Sequence, residues 1–197
     1  MSELRQTIPT ETPAAPEFSL RVGRLAGLLA IDERLLVSAR RLHGPWRTRL
    51  ARTLTRAGNT SSWTVAVLVL LAAGAPLTVL SARLAAATLL GTLFSQALKR
   101  SLHRPRPTSA IVGFEALAEN PDRFSFPSGH TTAAFAAAVA LAGAPFGLGP
   151  AALALALGIG ASRVYLGAHY PLDVAAGVVL GTVAGALSRL GLGLAGI

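Results

Sequence analysis

Nearly all the reactive side chains of this 197-residue chain fall at three places. The first is Lys99-Arg100-Ser101-Leu102-His103-Arg104-Pro105-Arg106-Pro107, and the second is Pro127-Ser128-Gly129-His130. The third runs from Ser162-Arg163 to His169-Tyr170-Pro171-Leu172-Asp173. Lys99, Arg106 and Arg163 have no acid close in sequence, so the partner they predict is an external anion. Guanidinium groups match phosphate oxygens bidentately, and a lysine adds a compact point charge. A helix opening at Ser128-Gly129-His130 would present free backbone N–H groups and a positive dipole end, and Gly129 would let that backbone approach a phosphate closely. Arg100 and Arg104 are expected instead to be cationic anchors at the membrane surface.

His169 and Asp173 are four residues apart at a helix start, so they share one face and can touch. Pro171 fits between them because it falls in the first turn. A carboxylate on one imidazole nitrogen sets the tautomer and leaves the other nitrogen free to attack. His130 lies elsewhere in sequence but at the same mouth, where it could protonate a leaving oxygen. His43 and His103 lack such company and are expected to be capping or interfacial residues. The histidines and the carboxylate could also bind a metal, but the surrounding positive charge disfavours a cation. No metal and no other cofactor is expected.

These groups need elements to bring them together, and the composition says which kind. Hydrophobic residues make up 52% of the chain and charged ones only 14%, against about 25% in a typical soluble domain. The net charge of +9 could point to nucleic acid, but so apolar a chain argues for a membrane and a phosphate-binding site, with no nucleic acid partner. There is no cysteine, hence no disulfide, thiolate site or thiol nucleophile.

Residues 1–20, with Pro9, Pro13 and Pro16, lack hydrophobic period and are expected to be a disordered tail without the pattern of a signal peptide. Residues 21–60 are expected to hold two short basic amphipathic helices at the membrane interface, one from Ile31 to Leu42 and one after the Gly44-Pro45 break. Residues 61–197 should form the transmembrane bundle. Uncharged runs from Ala57 to Ala82, Leu84 to Leu98 and Thr131 to Ser162, with a last apolar helix to Leu190, predict spans at about 62–80, 83–102, 129–145, 149–165 and 171–190. The expected fold is all-α, an integral membrane bundle of about five spans. That count puts all three polar clusters on one side.

In order and internal spacing the clusters resemble the three-part signature of the type 2 phosphatidic acid phosphatase superfamily. Lys99 is followed after six residues by Arg106-Pro107, then come Pro127-Ser128-Gly129-His130, then Ser162-Arg163 with His169 and Asp173. The signature covers about Lys99 to Asp173, and a weaker likeness extends to residues 31–190. The resemblance implies a metal-independent phosphatase working through a phosphohistidine. His169 would be the nucleophile, Asp173 its orienting partner, and His130 the acid on the leaving group and then the base on water. Lys99, Arg106, Ser128, Gly129 and Arg163 would hold the phosphoryl oxygens. The chain departs from many membrane members in lacking an obvious first span.

The expected activity is hydrolysis of a phosphomonoester or diphosphate of a phospholipid or polyprenyl lipid that enters from the bilayer. A lipid phosphotransferase would use the same intermediate. A non-catalytic anion-binding or transport bundle would need the cations but not the histidines with Asp173. The expected location is the plasma (inner) membrane. Lys and Arg, concentrated on the side of the amino-terminal region, favour a cytoplasmic active site. Many bacterial members of the resembling family work on the outer face.

Overall fold

The turn between the first two apolar helices lies where the backbone needs glycine, and not where the charge pattern placed it. Gly74 sits at φ 72°, in the left-handed region, and helix α3 (Thr60–Ala72) has already ended. Helix α4 starts at Leu77 and runs to Leu102, so Arg83 lies inside it. The expected boundary at residues 80–83 is therefore corrected. The sequence between Ala57 and Ala82 is uncharged, which hides the turn from hydropathy.

The molecule, a computed structural model, is described at residues 17–75, 77–118 and 122–194, with side chains from residue 26 onward. The chain divides into a small unit ending at Ile31 and a large unit beginning at Asp32. Every contact discussed below lies in the large unit. Helix α1 (Glu17–Ala39) is longer than the helix expected from Ile31 and takes in the end of the expected tail, of which residues 1–16 lie outside the described residues. A 3-10 turn (Arg40–Leu42) follows, then α2 (Pro45–Ala57), with Pro45 in the first turn as expected. After α3 (Thr60–Ala72) and α4 come a single turn α5 (Pro107–Ala110), α6 (Gly129–Ala140), α7 (Leu148–Tyr165) and α8 (Pro171–Leu194).

The described residues contain no named strand, so the all-α expectation holds. Among the described residues three helices are long and apolar enough to cross a membrane: α4, α7 and α8. Helices α3 and α6 have 13 and 12 residues. At 1.5 Å per residue each is about 20 Å long or less, short of a hydrocarbon core of about 30 Å. The expected span at 129–145 thus ends early, because residues 141–147 turn rather than continue the helix.

What holds α6 is close packing on α8. Gly177, Gly181 and Gly185 form one bare stripe of α8 at i, i+4 spacing, and a Cβ at Gly177 or Gly185 would come within 2.9 Å of Ser128 O or 2.7 Å of Ala136 O. Small residues at such spacing let membrane helices approach closely. Ala134, Ala136 and Ala137 of α6 are fully buried as a result. Adding a methyl group at Gly181 would force the helices apart, at a cost of about 1–3 kcal/mol. Trp63, Leu84, Phe135 and Ile159 complete the core between α3, α4, α6 and α7.

Candidate active site

The end of α4, the loop before α6, the first turn of α6, the end of α7 and the connection between α7 and α8 meet at one cavity of about 1080 Å³. Lys99, Arg106, Gly129, His130, Arg163 and His169 all line it. Five segments far apart in sequence thus deliver the residues expected to act together, as the helix-end positions predict.

His169 is 1% exposed and lies in the tight connection between α7 and α8, where its backbone N–H donates to Arg163 O at 3.3 Å. Its Nδ1 is 3.5 Å from Asp173 Oδ2 and has no closer hydrogen-bond partner. On the other side Arg106 Nη1 donates to His169 Nε2 at 3.4 Å. Nε2 is therefore the nitrogen turned to the cations, with Nδ1 turned to the carboxylate, the arrangement a nucleophilic imidazole needs. Burial first, then the positive charges of Arg163, Arg106 and Lys99, push the His169 imidazole well below its ordinary range, so it is neutral at physiological pH.

Asp173 is wholly buried, and two hydrogen bonds hold its carboxylate. Tyr170 N–H donates to its Oδ2 at 2.9 Å, and Arg104 Nη1 donates to its Oδ1 at 2.6 Å. Arg104 also donates through Nη2 to Asp32 Oδ2 at 2.7 Å and lies over the Tyr170 ring, 4.0 Å from its centre. Asp32 in turn accepts the Leu172 N–H at 2.8 Å, at the first turn of α8. Arg104 is thus no surface anchor, contrary to the expectation from sequence. A buried carboxylate pair needs a shared cation, and Arg104 is the one that reaches both. Arg100, on the same helix end, is exposed as expected.

A second correction concerns the partners of the pocket cations. Asp122 makes short ion pairs with both Lys99 and Arg106, and its backbone carbonyl accepts from Arg106 Nε at 2.8 Å. Burial alone would raise the Asp122 carboxyl, but Lys99 and Arg106 outweigh it and hold it below the usual carboxylate range. The loop after α5 folds this acid back across many residues, so its closeness could not be seen from local sequence. Arg163 donates from Nη1 to Thr55 Oγ1 of α2 at 2.5 Å. His130 Nε2 and Asn59 Oδ1 lie 2.9 Å apart at the turn between α2 and α3. Asp122, Thr55, Asn59, Asp32 and Arg104 are the site residues that sequence reasoning missed.

Ser128 precedes α6, is fully buried and accepts a hydrogen bond at its Oγ from Thr131 Oγ1 at 2.9 Å. Its N–H donates to Asp173 O at 3.0 Å, which ties the start of α6 to α8. A Cβ at Gly129 would lie 3.3 Å from Ser95 Oγ, so a bare α-carbon suits the close wall. His43 contacts the Tyr165 carbonyl at 2.9 Å and His103 packs edge-on to Phe124, both away from the cavity. Among the described residues no group of three His, Cys, Asp or Glu gathers as a metal site needs.

Residues 80–193 match the model of the PAP2 superfamily. The decaprenylphosphoryl-5-phosphoribose phosphatase of Mycobacterium tuberculosis is 41% identical over 90 residues, which are 46% of this chain and 49% of that protein. The lipid A 1-phosphatase of Rhizobium etli is 39% identical over 95 residues, 45% of this chain and 40% of that one. The chain spans under half the length of these curated relatives. The crystal structure of a transmembrane PAP2 type phosphatidylglycerolphosphate phosphatase from Bacillus subtilis superposes with a TM-score of 0.72 at 26% identity. That match covers 83% of this chain and 85% of the other.

Proposed function

The chain belongs to the PAP2 superfamily, and from that premise we propose that it is an integral membrane lipid-phosphate phosphatase acting through a phosphohistidine. The observation that carries this reading is the convergence of His169, His130, Lys99, Arg106 and Arg163 on one cavity, with Asp173 behind the nucleophile. The relatives named above act, by their names, on lipid-linked phosphates. In this reading the scissile phosphoryl group displaces Asp122 from Lys99 and Arg106, and Arg163 and the start of α6 take its remaining oxygens. His169 Nε2 attacks phosphorus as the bond to the lipid oxygen breaks. His130 gives that oxygen its proton. Water then attacks the phosphorus, His130 takes the water's proton, and the P–N bond breaks to release inorganic phosphate. Fixed cations favour the spread of negative charge over the phosphoryl oxygens in both steps.

The test is inorganic phosphate release by the detergent-solubilised protein from short-chain phosphatidic acid, a phosphatidylglycerol phosphate and a polyprenyl diphosphate. Release from any of them that vanadate blocks and EDTA leaves intact supports the reading. Release abolished by EDTA and restored by a divalent ion overturns it, as does no release from any of the three.

We place the protein in the plasma (inner) membrane with the cavity mouth toward the cytoplasm. Arg40, Arg41, Arg47, Arg49 and Arg100 lie on the mouth side, against Arg83 and Arg189 at the other end. Val112 is fully exposed in the loop after α5, and the chain has no cysteine, so Val112→Cys is a single reporter. A membrane-impermeant maleimide should label it only after permeabilisation. Labelling in intact cells would reverse the assignment.

A further inference from the structure

Asp32 of α1 is 2% exposed, although its neighbours Ile31, Glu33, Arg34 and Leu35 are all exposed. A carboxylate is almost never buried so fully unless it is paired. This one uses both of its oxygens: Oδ1 accepts the Leu172 N–H at 2.8 Å, and Oδ2 accepts from Arg104 Nη2 at 2.7 Å. Leu172 is the second residue of α8, so an acid of α1 satisfies one of the free N–H groups at that helix start. Leu36, one turn further along α1, is buried with Phe114 and Tyr170 and seats this part of the helix beside the α7–α8 connection. Asp32 does not line the cavity, and it lies outside residues 80–193 that match the family model.

Arg104 is thereby divided between two buried carboxylates, since its Nη1 holds Asp173 Oδ1 at 2.6 Å. The sharing matters because of what surrounds His169. Arg163, Arg106 and Lys99 act on the ring from the cavity, with Asp122 among them, and Asp173 is the acid behind it. When Nε2 bonds to phosphorus the ring gains positive charge, which Asp173 has to balance across Nδ1. A guanidinium given wholly to Asp173 would cancel that balance, because a closely paired acid and base act on a third group nearly as a neutral unit. With Asp32 drawing on the other half of the guanidinium, the buried group of two acids and one base keeps a net negative charge.

We propose that Asp32 is a positioning residue for the nucleophile, acting through Arg104 to leave the charge of Asp173 available to His169 and through the Leu172 N–H to fix the helix start that carries Asp173. This rests on the phosphohistidine reading and gives α1 a part in it. Asp32 touches neither the substrate nor the reacting atoms; its effect reaches them by the division of one guanidinium.

Vanadate and inorganic phosphate test this without turnover. Vanadate bonded to His169 Nε2 charges the ring, whereas phosphate sits among the cations without that bond. Binding of each to the full chain is measured by calorimetry in detergent, and the parent should hold vanadate at least about a hundredfold more tightly. Asp32→Asn keeps an oxygen for the Leu172 N–H and removes the charge. It should cut the vanadate preference about tenfold and lower kcat by a similar factor, with KM within about twofold. Asp32→Ser, the same loss of charge in a smaller capping side chain, should give the same drop and stands in if Asp32→Asn fails to fold. In an Arg104→Ala background Asp32→Asn should change the preference by no more than about twofold, because the route is gone. Glu33→Gln removes the neighbouring exposed acid of α1 and should keep the parent preference. A parent-like preference in Asp32→Asn overturns the proposal, as does equal binding of the two anions by the parent. So does an equal drop in Asp32→Asn and Glu33→Gln, which would mark overall charge as the cause, or an undiminished drop in the Arg104→Ala background. Phosphate release by the parent is read separately. If it hydrolyses no lipid phosphate the phosphatase reading fails, while the vanadate ratio still decides the role of Asp32.

Discussion

The two histidines of the cavity sit in opposite surroundings. His169 is buried in a connection of a few residues, flanked by a carboxylate on one side and a guanidinium on the other. Behind it stands a relay of charge, Asp173 to Arg104 to Asp32, that fastens the start of α8. His130 is only partly buried and meets a neutral amide, Asn59, from a turn on the opposite wall. A group that attacks phosphorus gains from being immobile and stripped of water, since every degree of freedom it keeps lowers its effective concentration. A group that exchanges protons with a leaving oxygen and then with water must stay near the opening. The difference supports the proposed roles better than either histidine does alone.

The largest effect should come from His169→Ala, with a loss of kcat of at least about 10⁴-fold and an unchanged fold by circular dichroism. Asp173→Asn should retain more, since it keeps the shape and loses the charge. If His169→Ala releases phosphate at the parent rate, the contrast between the histidines has been assigned the wrong way round.

His130→Ala should cost about 10²–10⁴-fold on a lipid alkoxide leaving group, the usual range for general acid catalysis. On p-nitrophenyl phosphate, whose leaving group needs no proton, most of that first-step loss should disappear. His169→Ala should show no such recovery. Equal loss on both leaving groups would remove His130 from the acid role.

Arg104→Ala should lower kcat by about ten- to a hundredfold with little change in KM, because it frees Asp173 from one side and strands Asp32. Arg104→Lys should recover part of the loss, and Arg100→Ala should stay within about twofold. If Arg104→Ala instead raises KM alone, Arg104 touches the substrate and is not a positioning residue.

The smallest effect is on stability against pH. The folded-state pKa of His169 is depressed, so its neutral form favours folding above the unfolded value near 6.5. That stability is lost as pH falls, because the unfolded chain takes up a proton that the folded one refuses. The loss amounts to at most about 1.4 kcal/mol per pH unit. Thermal unfolding in detergent between pH 7.5 and 5.5 should show a shallower acid loss for His169→Gln than for the parent. An equal slope would mean that the imidazole is not held neutral.

The residues proposed to react were legible in sequence as a group because their signals are local. His169 and Asp173 share a helix face, Pro171 marks the start of α8, and Ser128-Gly129-His130 mark the start of α6. The supporting residues carry no such signal. Asp122, Asn59, Thr55 and Asp32 are single polar residues with no period, and only the return of a loop or the packing of α1 and α2 brings them in. Arg104 was misread for a related reason. Its neighbours in sequence are cations and prolines, whereas its partners lie 69 and 72 residues away. The helix boundaries failed where charge and turn chemistry disagree: Arg83 looked like an end, but Gly74 supplied the turn.

The bare stripe on α8 also settles which parts of the site lipid thickness can disturb. Helix α6 has too few residues to take its depth from the bilayer. It is seated by its partner, backbone against backbone, with Ser128 N–H bonded to the Asp173 carbonyl at the same end. When a thicker or thinner membrane changes the tilt of α8, the start of α6 at Ser128-Gly129 and the Asp173 carboxylate travel together. The wall carrying Arg52, Arg56 and Asn59 hangs on α2 and the turn into α3, outside that locked pair. Hydrophobic mismatch is therefore expected to alter the width of the cleft before it alters the spacing of Asp173 from Ser128.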